Sequence, residues 1–200
     1  MEMNLRSYLV FVLVALFAAP ACAAGLTDLE RQRLLAHMEM TESWIADEVE
    51  HLSPEQLKFR PSPTAWNALD CVEHLILAET EYWKMFQRTM SEPPSKKGSP
   101  SSDIDRMWYG IDRTNRDKTV ESEVPKSRFT GAGPALAEFR AIRATMKEYV
   151  RTTHDDLRHH MVTDWNRDAY QWLLMVSAHS QRHILQIREI KHSSEFPASR

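Results

Sequence analysis

His179 and His183 stand one helical turn apart in the stretch Asp168–Lys191, DAYQWLLMVSAHSQRHILQIREIK. Trp172, Val176, Ile187 and Ile190 recur there at helical spacing, and both histidines fall on the same apolar face. Side chains at i and i+4 stack with Cβ atoms about 6 Å apart, so two such imidazoles can share one cation. His74 is a third inward candidate, on a line with Cys71, Ala78 and Met85. The small Ala78, one turn on, leaves room beside its ring. Two ligands from one helix and one from a facing helix can hold a cation inside a bundle. Neutral imidazoles suit a divalent transition metal, Zn, Ni or Fe, rather than Mg or Ca. Three protein ligands leave a position for water or substrate, as catalytic sites do. Three separate core histidines, each with its own hydrogen bond, would leave the same sequence.

Four long amphipathic segments must position these residues. The first is predicted over Thr27–His51, opened by the capping box Thr27/Glu30, with Leu34, Met38, Ile45, Val49 and Leu52 inward. Ser53-Pro54-Glu55 starts a short turn of helix, and Arg60-Pro61-Ser62-Pro63 cannot continue one. The second long helix runs from Ala68 to about Met90 behind the N-cap Asn67. Ser91–Ser102, with three prolines, is a loop. A short helix follows over Asp103–Asn115, and Asp117–Gly133 is irregular. The third long helix spans about Pro134–Thr153, with Leu136, Phe139, Ile142, Met146 and Val150 inward. The fourth is the stretch that carries the histidine pair. No segment alternates with a period of two, glycine numbers only five, and 26% of residues are charged. The class is therefore all-α, a four-helix bundle, up-down with a long irregular crossover between the second and third long helices. His37 and His51 read as structural, and His154, His159 and His160 as surface histidines.

The N-terminus reads differently. Arg6 precedes the uncharged run Tyr8–Ala19, then Pro20 and the small residues Ala21-Cys22-Ala23-Ala24. That is the layout of a secretory signal, cleaved after Ala23 or Ala24. The expected organisation is a signal peptide at 1–24 and one domain at 25–200, exported to the periplasm or beyond. The run is shorter than the ~20 residues a spanning helix needs, so no stable membrane span remains after cleavage. Lipidation at Cys22 is the weaker alternative, because Ala19-Pro20-Ala21 is a poor lipidation context. Cys71 is then the single cysteine, so packing rather than disulfides must stabilise the chain. The net charge of −3 and pI near 6.3 give no basic footprint for nucleic acid.

Several neighbours of the histidines are candidates for shaping the site. Asp70 lies one turn before His74, although an acid in a first helical turn is also explained by capping. Gln186, close to His183 on its helix, can orient a ligand or water. Trp172 and Met175 lie beyond His179 and can wall a pocket. Glu73 points about 100° away from His74, and Glu81 lies ~10 Å along the axis.

In Leu52-Ser53-Pro54-Glu55-Gln56-Leu57, Pro61-Ser62-Pro63 with Trp66-Asn67, Val72-Glu73-His74-Leu75 with Ala78-Glu79, and finally His179, Arg182-His183 and Gln186-Ile187, the chain resembles the DinB-like (YfiT-like) superfamily of metal-dependent bundle proteins. The resemblance covers the mature chain in order. It implies a four-helix bundle with one histidine of the second helix and two of the last as metal ligands, roles that map onto His74, His179 and His183. Asn67 stands where the family often has Ser, and both residues cap helices. Family members often dimerise, which implies a homodimer here. Characterised members include transferases and isomerases with small thiol cofactors, a chemistry at odds with an oxidising exported compartment. The expected function is an exported metal-dependent enzyme, of hydrolase or transferase type, acting on a small molecule. The alternative is a non-catalytic binding or stress-associated bundle.

Overall fold

The computed structural model describes residues 25–114 and 118–198; the expected signal segment and the expected end of the short helix at Asn115 lie outside them. Among the described residues six α-helices form: α1 Asp28–Val49, α2 Pro54–Lys58, α3 Ala68–Ser91, α4 Asp103–Ile111, α5 Ala132–Thr152 and α6 Ala169–Lys191. The helix starts follow local chemistry. Thr27 and Glu30, Ser53 and Gln56, and Asn67 and Asp70 close reciprocal capping boxes, and the Asp168 side chain accepts from the amide of Gln171. α5 begins two residues before the expected Pro134. Proline is tolerated there because amides of the first turn have no partner inside the helix. A short antiparallel hairpin, β1 Met161–Val162 and β2 Arg167–Asp168, precedes α6. Two-residue strands carry no periodicity to read, so nothing in the residue pattern signals the hairpin.

α1, α3, α5 and α6 form the expected four-helix bundle. Its ring order is α1–α5–α3–α6, so α1 and α3 face across a diagonal. α1 and α6 run parallel: Tyr170 reaches Glu30, Ser177 meets His37, and Arg188 pairs with Glu48. α3 and α5 are parallel too, joined at Glu79–Arg143 and Phe86–Tyr149. α6 is antiparallel to α3, because Trp172 near its start contacts Tyr82 and His183 further on lies 4.6 Å from His74. The directions are therefore up, down, down, up. The chain must return the full length of the bundle between α3 and α5, which is why the crossover is long. That crossover carries α4, which lies on α6. Gly110 allows the approach: a Cβ there would sit 2.8 Å from the Ala178 Cβ and 3.2 Å from the Met175 carbonyl oxygen.

Two apolar clusters fill the bundle. One gathers Ile45, Val49, Leu69, Val72, Leu136 and Ile187, the other Leu34, Met38, Phe86, Met146, Val150 and Trp172. A polar layer interrupts the apolar interior. Arg143 is fully buried and donates to Glu79 from Nε and Nη2, both at 2.6 Å. Nη2 also donates to the Ser180 hydroxyl at 2.6 Å, while Nη1 reaches Thr41 at 3.3 Å and Ser177 at 3.4 Å. All four long helices thus contribute to one network. The inward residue of α5 is Arg143, where the sequence suggested Ile142, which is only half-buried. Cys71 is buried and free, and burial pushes its thiol pKa up, as an inert packing thiol requires. No helix among the described residues is long and apolar enough to cross a membrane.

Candidate metal centre

The second turn of α3 presents His74, and both flanks of that turn are pinned. Asp70 accepts from the Asn67 amide at 3.0 Å and the Ser127 hydroxyl at 2.9 Å, and pairs with Arg60 at 2.6 Å. Both its oxygens are therefore committed to the helix start, and Asp70 does not serve the imidazoles. Glu73 points away from His74, as the helical angle requires. Its carboxylate accepts the amides of Lys126 and Arg128 at 2.8 and 2.9 Å. Between them Ser127 adopts φ 54°, which turns successive amides toward one anion. This anchor holds the end of the crossover against α3 and lays the Glu123 carbonyl on His74 Nδ1 at 2.8 Å.

The structure brings His74, His179 and His183 together, with ligand-type atoms within 4.8 Å of one another. His179 Nε2 lies 3.4 Å from His74 Nε2 and 3.1 Å from His183 Nε2. A carbonyl only accepts, so His74 carries its proton on Nδ1 and turns the Nε2 lone pair inward. His183 does the same, donating from Nδ1 to the Gln186 Oε1 at 3.0 Å. Two inward lone pairs therefore meet His179 Nε2, which can donate to one of them at most. His179 Nδ1 is buried without a partner. Two ligands bound to one cation at roughly 2.0–2.1 Å, with tetrahedral angles, lie about 3.3 Å apart, so the donor set and its spacing fit a transition metal.

Electrostatics keep the rings ready for a cation. Burial lowers the pKa of all three, and lowers His179 and His183 well below the usual imidazole value. For His179 the His74, Arg182 and Arg143 charges act in the same direction, and for His183 the two other rings do. Neutral imidazoles are the ligating form. His74 and His183 are buried, whereas His179 keeps partial solvent access.

Other side chains frame the cluster. The Trp66 ring lies 4.9 Å from His74 and 6.0 Å from His183. Gln186 Oε1, which accepts from His183, also accepts from Arg113 Nη1 at 3.3 Å, while the Arg113 fork holds Glu189. Replacing Gln186 by Leu is expected to weaken metal affinity by roughly 10–100-fold with the helix intact, measured by competition with a chromophoric chelator. Trp172 does not wall the site directly. It is fully buried and donates to the Tyr82 carbonyl at 3.0 Å, backing the Tyr82 ring that lies 5.8 Å from His179. Met175 packs in the second apolar cluster and belongs to the core.

Sequence reasoning missed Glu123. Besides its carbonyl contact with His74, its side chain interacts with Tyr82. Burial pushes the carboxyl pKa up, and Tyr82 pulls the other way. The residue lies in an irregular crossover, where no periodicity assigns a face. His159 and His160 bond Asp156 and the Thr89 carbonyl instead and stay apart from the cluster. Among the described residues, no second group of histidine, cysteine or acids has metal-ligand spacing.

Comparison with known proteins agrees with this frame. A family model described as the DinB superfamily matches residues 26–187. The uncharacterized protein YuaE of Bacillus subtilis (strain 168) is 23% identical over 159 residues, covering 77% of this chain and 93% of that one. The solved structure of YfiT from Bacillus subtilis, described as a probable metal-dependent hydrolase with an unusual four-helix bundle topology, aligns with a TM-score of 0.57 at 17% identity. That alignment covers 86% of this chain and 91% of the other, and shows a shared fold.

Proposed function

The chain belongs to the DinB superfamily, and from that premise we propose that it is an exported metal-dependent enzyme of hydrolase or transferase type. The observation that carries this reading is the convergence of three Nε2 atoms with two tautomers already set. His74, His179 and His183 would hold a divalent cation, Zn, Ni or Fe. Such a cation, when bound, lowers the pKa of a water or thiol or polarises a carbonyl. The chain's own groups supply the rest. The Glu123 carbonyl and Gln186 fix the ring orientations, Trp66 keeps water off one side, and the Glu123 carboxyl with the Tyr82 hydroxyl can hold and hand over a proton. The YfiT description as a probable metal-dependent hydrolase supports the hydrolytic form. Residues 1–24 act as the signal peptide and 25–200 as the working domain, with cleavage and export read by fractionating cells that express the full chain.

The deciding experiment uses the chain from Gly25 onward, purified without a histidine tag, with elemental analysis and a screen of small esters, amides and thiol-transfer substrates. Activity that disappears with chelator and returns with one metal supports the reading. Stoichiometric metal without turnover leaves the non-catalytic binding bundle. Substoichiometric metal, equal in wild type and in His74→Ala and His183→Ala, removes the metal reading altogether.

A further inference from the structure

Arg167 is only 2% exposed, and its Nε and Nη1 have no hydrogen-bond partner. A guanidinium cannot shed its charge, so its burial calls for a counter-charge. The buried arginine of the bundle centre has one, in Glu79, and half-buried Arg158 has Glu30, Asp103 and Asp168. Among the described residues Arg167 has no acid. Asp168, next in the chain, is committed to Arg158 and to the Gln171 amide at 2.7 Å. The charged neighbour of Arg167 is a second cation, Arg106, which opposes it electrostatically. Arg106 is likewise without an acid: Nη2 donates to the Ser101 hydroxyl and to the Asn166 carbonyl at 3.1 Å, and its buried Nε has no partner.

Aromatic rings complete the surroundings. The Arg167 guanidinium carbon lies 4.9 Å from the Tyr109 ring centre and 5.2 Å from that of Trp165. Those two rings are 52% and 41% exposed, so they form an outer wall that side-chain rotation can open. Asn166, at φ 49°, makes the tight hairpin turn that sets Trp165 beside Arg167. On the inner side Trp165, beside the Arg167 guanidinium, meets Trp172 at 5.8 Å, and Trp172 lies 5.3 Å from the ring of Tyr82, which lies against His179. A line of aromatic rings thus joins the Arg167 guanidinium to the imidazoles.

We propose that Arg167 and Arg106, walled by Tyr109 and Trp165, bind the carboxylate or phosphate group of a small organic anion. A bound oxyanion would accept from the unpartnered N–H groups and supply the counter-charge that the two guanidiniums lack. The anion site stands on its own geometry. That the anion is the substrate of the histidine centre, its reacting end reaching past Tyr82, rests on the metal-enzyme reading above.

The test is made on the metal-free chain from Gly25 onward, so that it does not depend on the metal. Inorganic phosphate and succinate are titrated separately at constant ionic strength set with chloride, with thermal unfolding and tryptophan fluorescence as readouts. A saturable rise in unfolding temperature, with a change in emission as Trp165 responds, is expected for at least one of them; which one tells phosphate from carboxylate. Arg167→Leu and Arg106→Gln are each expected to weaken binding by roughly tenfold or more. Should the Leu variant fail to fold, Arg106→Gln alone decides. The proposal is overturned by no saturable response in wild type, or by an undiminished response in the folded variants. Loss of metal binding with anion binding intact would refute the enzyme reading and leave the anion site standing.

Discussion

Alanine at His74, His179 or His183 is expected to abolish stoichiometric metal binding while the bundle stays folded. Losing an outer partner of a ligand costs roughly 10–100-fold in affinity, and losing a ligand itself costs more. The free protein gains little from the convergence of the rings, because two inward lone pairs compete for one possible donor at His179. Truncating one ring therefore relieves a crowded centre as well as opening a cavity. The metal-dependent stability shows the contrast. At a thousandfold excess of free metal over Kd, a site stabilises the folded state by about 4 kcal/mol. Wild type is expected to show that gain in denaturant unfolding with added metal, and each variant to show almost none. Elemental analysis of wild type and variants after dialysis is the direct check. Equal metal in all four proteins would mean that the trio is only a packed core.

Methionine at Arg143 is expected to destabilise the fold by about 3–5 kcal/mol, the usual cost of removing one partner from a buried ion pair. Glu79, fully buried, is left without its two strongest hydrogen bonds. Its carboxyl is already pushed up by burial, with Arg143 and then Ser180 pulling down, so losing Arg143 raises it further. The sign for pH follows. A carboxyl whose folded pKa lies above its unfolded value binds more protons when folded. The variant is therefore most stable below the ordinary carboxyl value of 4.5, and loses stability as pH rises through the higher folded value. Adding Glu79→Leu removes the orphaned charge and is expected to restore most of the loss and flatten the pH profile. Urea unfolding across pH measures both effects. A single variant as stable as wild type at neutral pH would show that the pair contributes nothing.

Much of the frame was legible because its signals are local. Thr27/Glu30, Ser53-Pro54 and Asn67/Asp70 mark helix starts by hydrogen bonds over three residues, and the observed starts follow them. His74, His179 and His183 lie on apolar lines, which places them inward. Line-reading failed where charge and pattern disagreed. Arg143 occupies the regular inward line of Leu136, Phe139, Met146 and Val150, but a guanidinium reads as surface until its partner on another helix is known. Asp70 and Trp172 each sit near the site along the helix yet spend their contacts elsewhere, on Arg60 and on Tyr82. Glu123 was beyond reach, because its position comes from the Glu73 anchor in a segment without periodicity. The ring order of the helices was hidden as well: periodicity says which face is inward and nothing about which helix it meets.

The ring order of the bundle bears on how the chain reaches its native state. The pairs that tie α1 to α6, Glu30 with Tyr170, His37 with Ser177 and Glu48 with Arg188, are each separated by 140 positions. α1 packs chiefly on α5 and α6, so the first of the four bundle helices meets its main partners last. No closed core can assemble from a nascent α1–α3 hairpin, and folding must wait for nearly the whole sequence to be available. Such non-local pairing slows folding relative to bundles whose successive helices are neighbours. It also prolongs the unfolded interval after synthesis, during which a chain can still be threaded through a narrow pore.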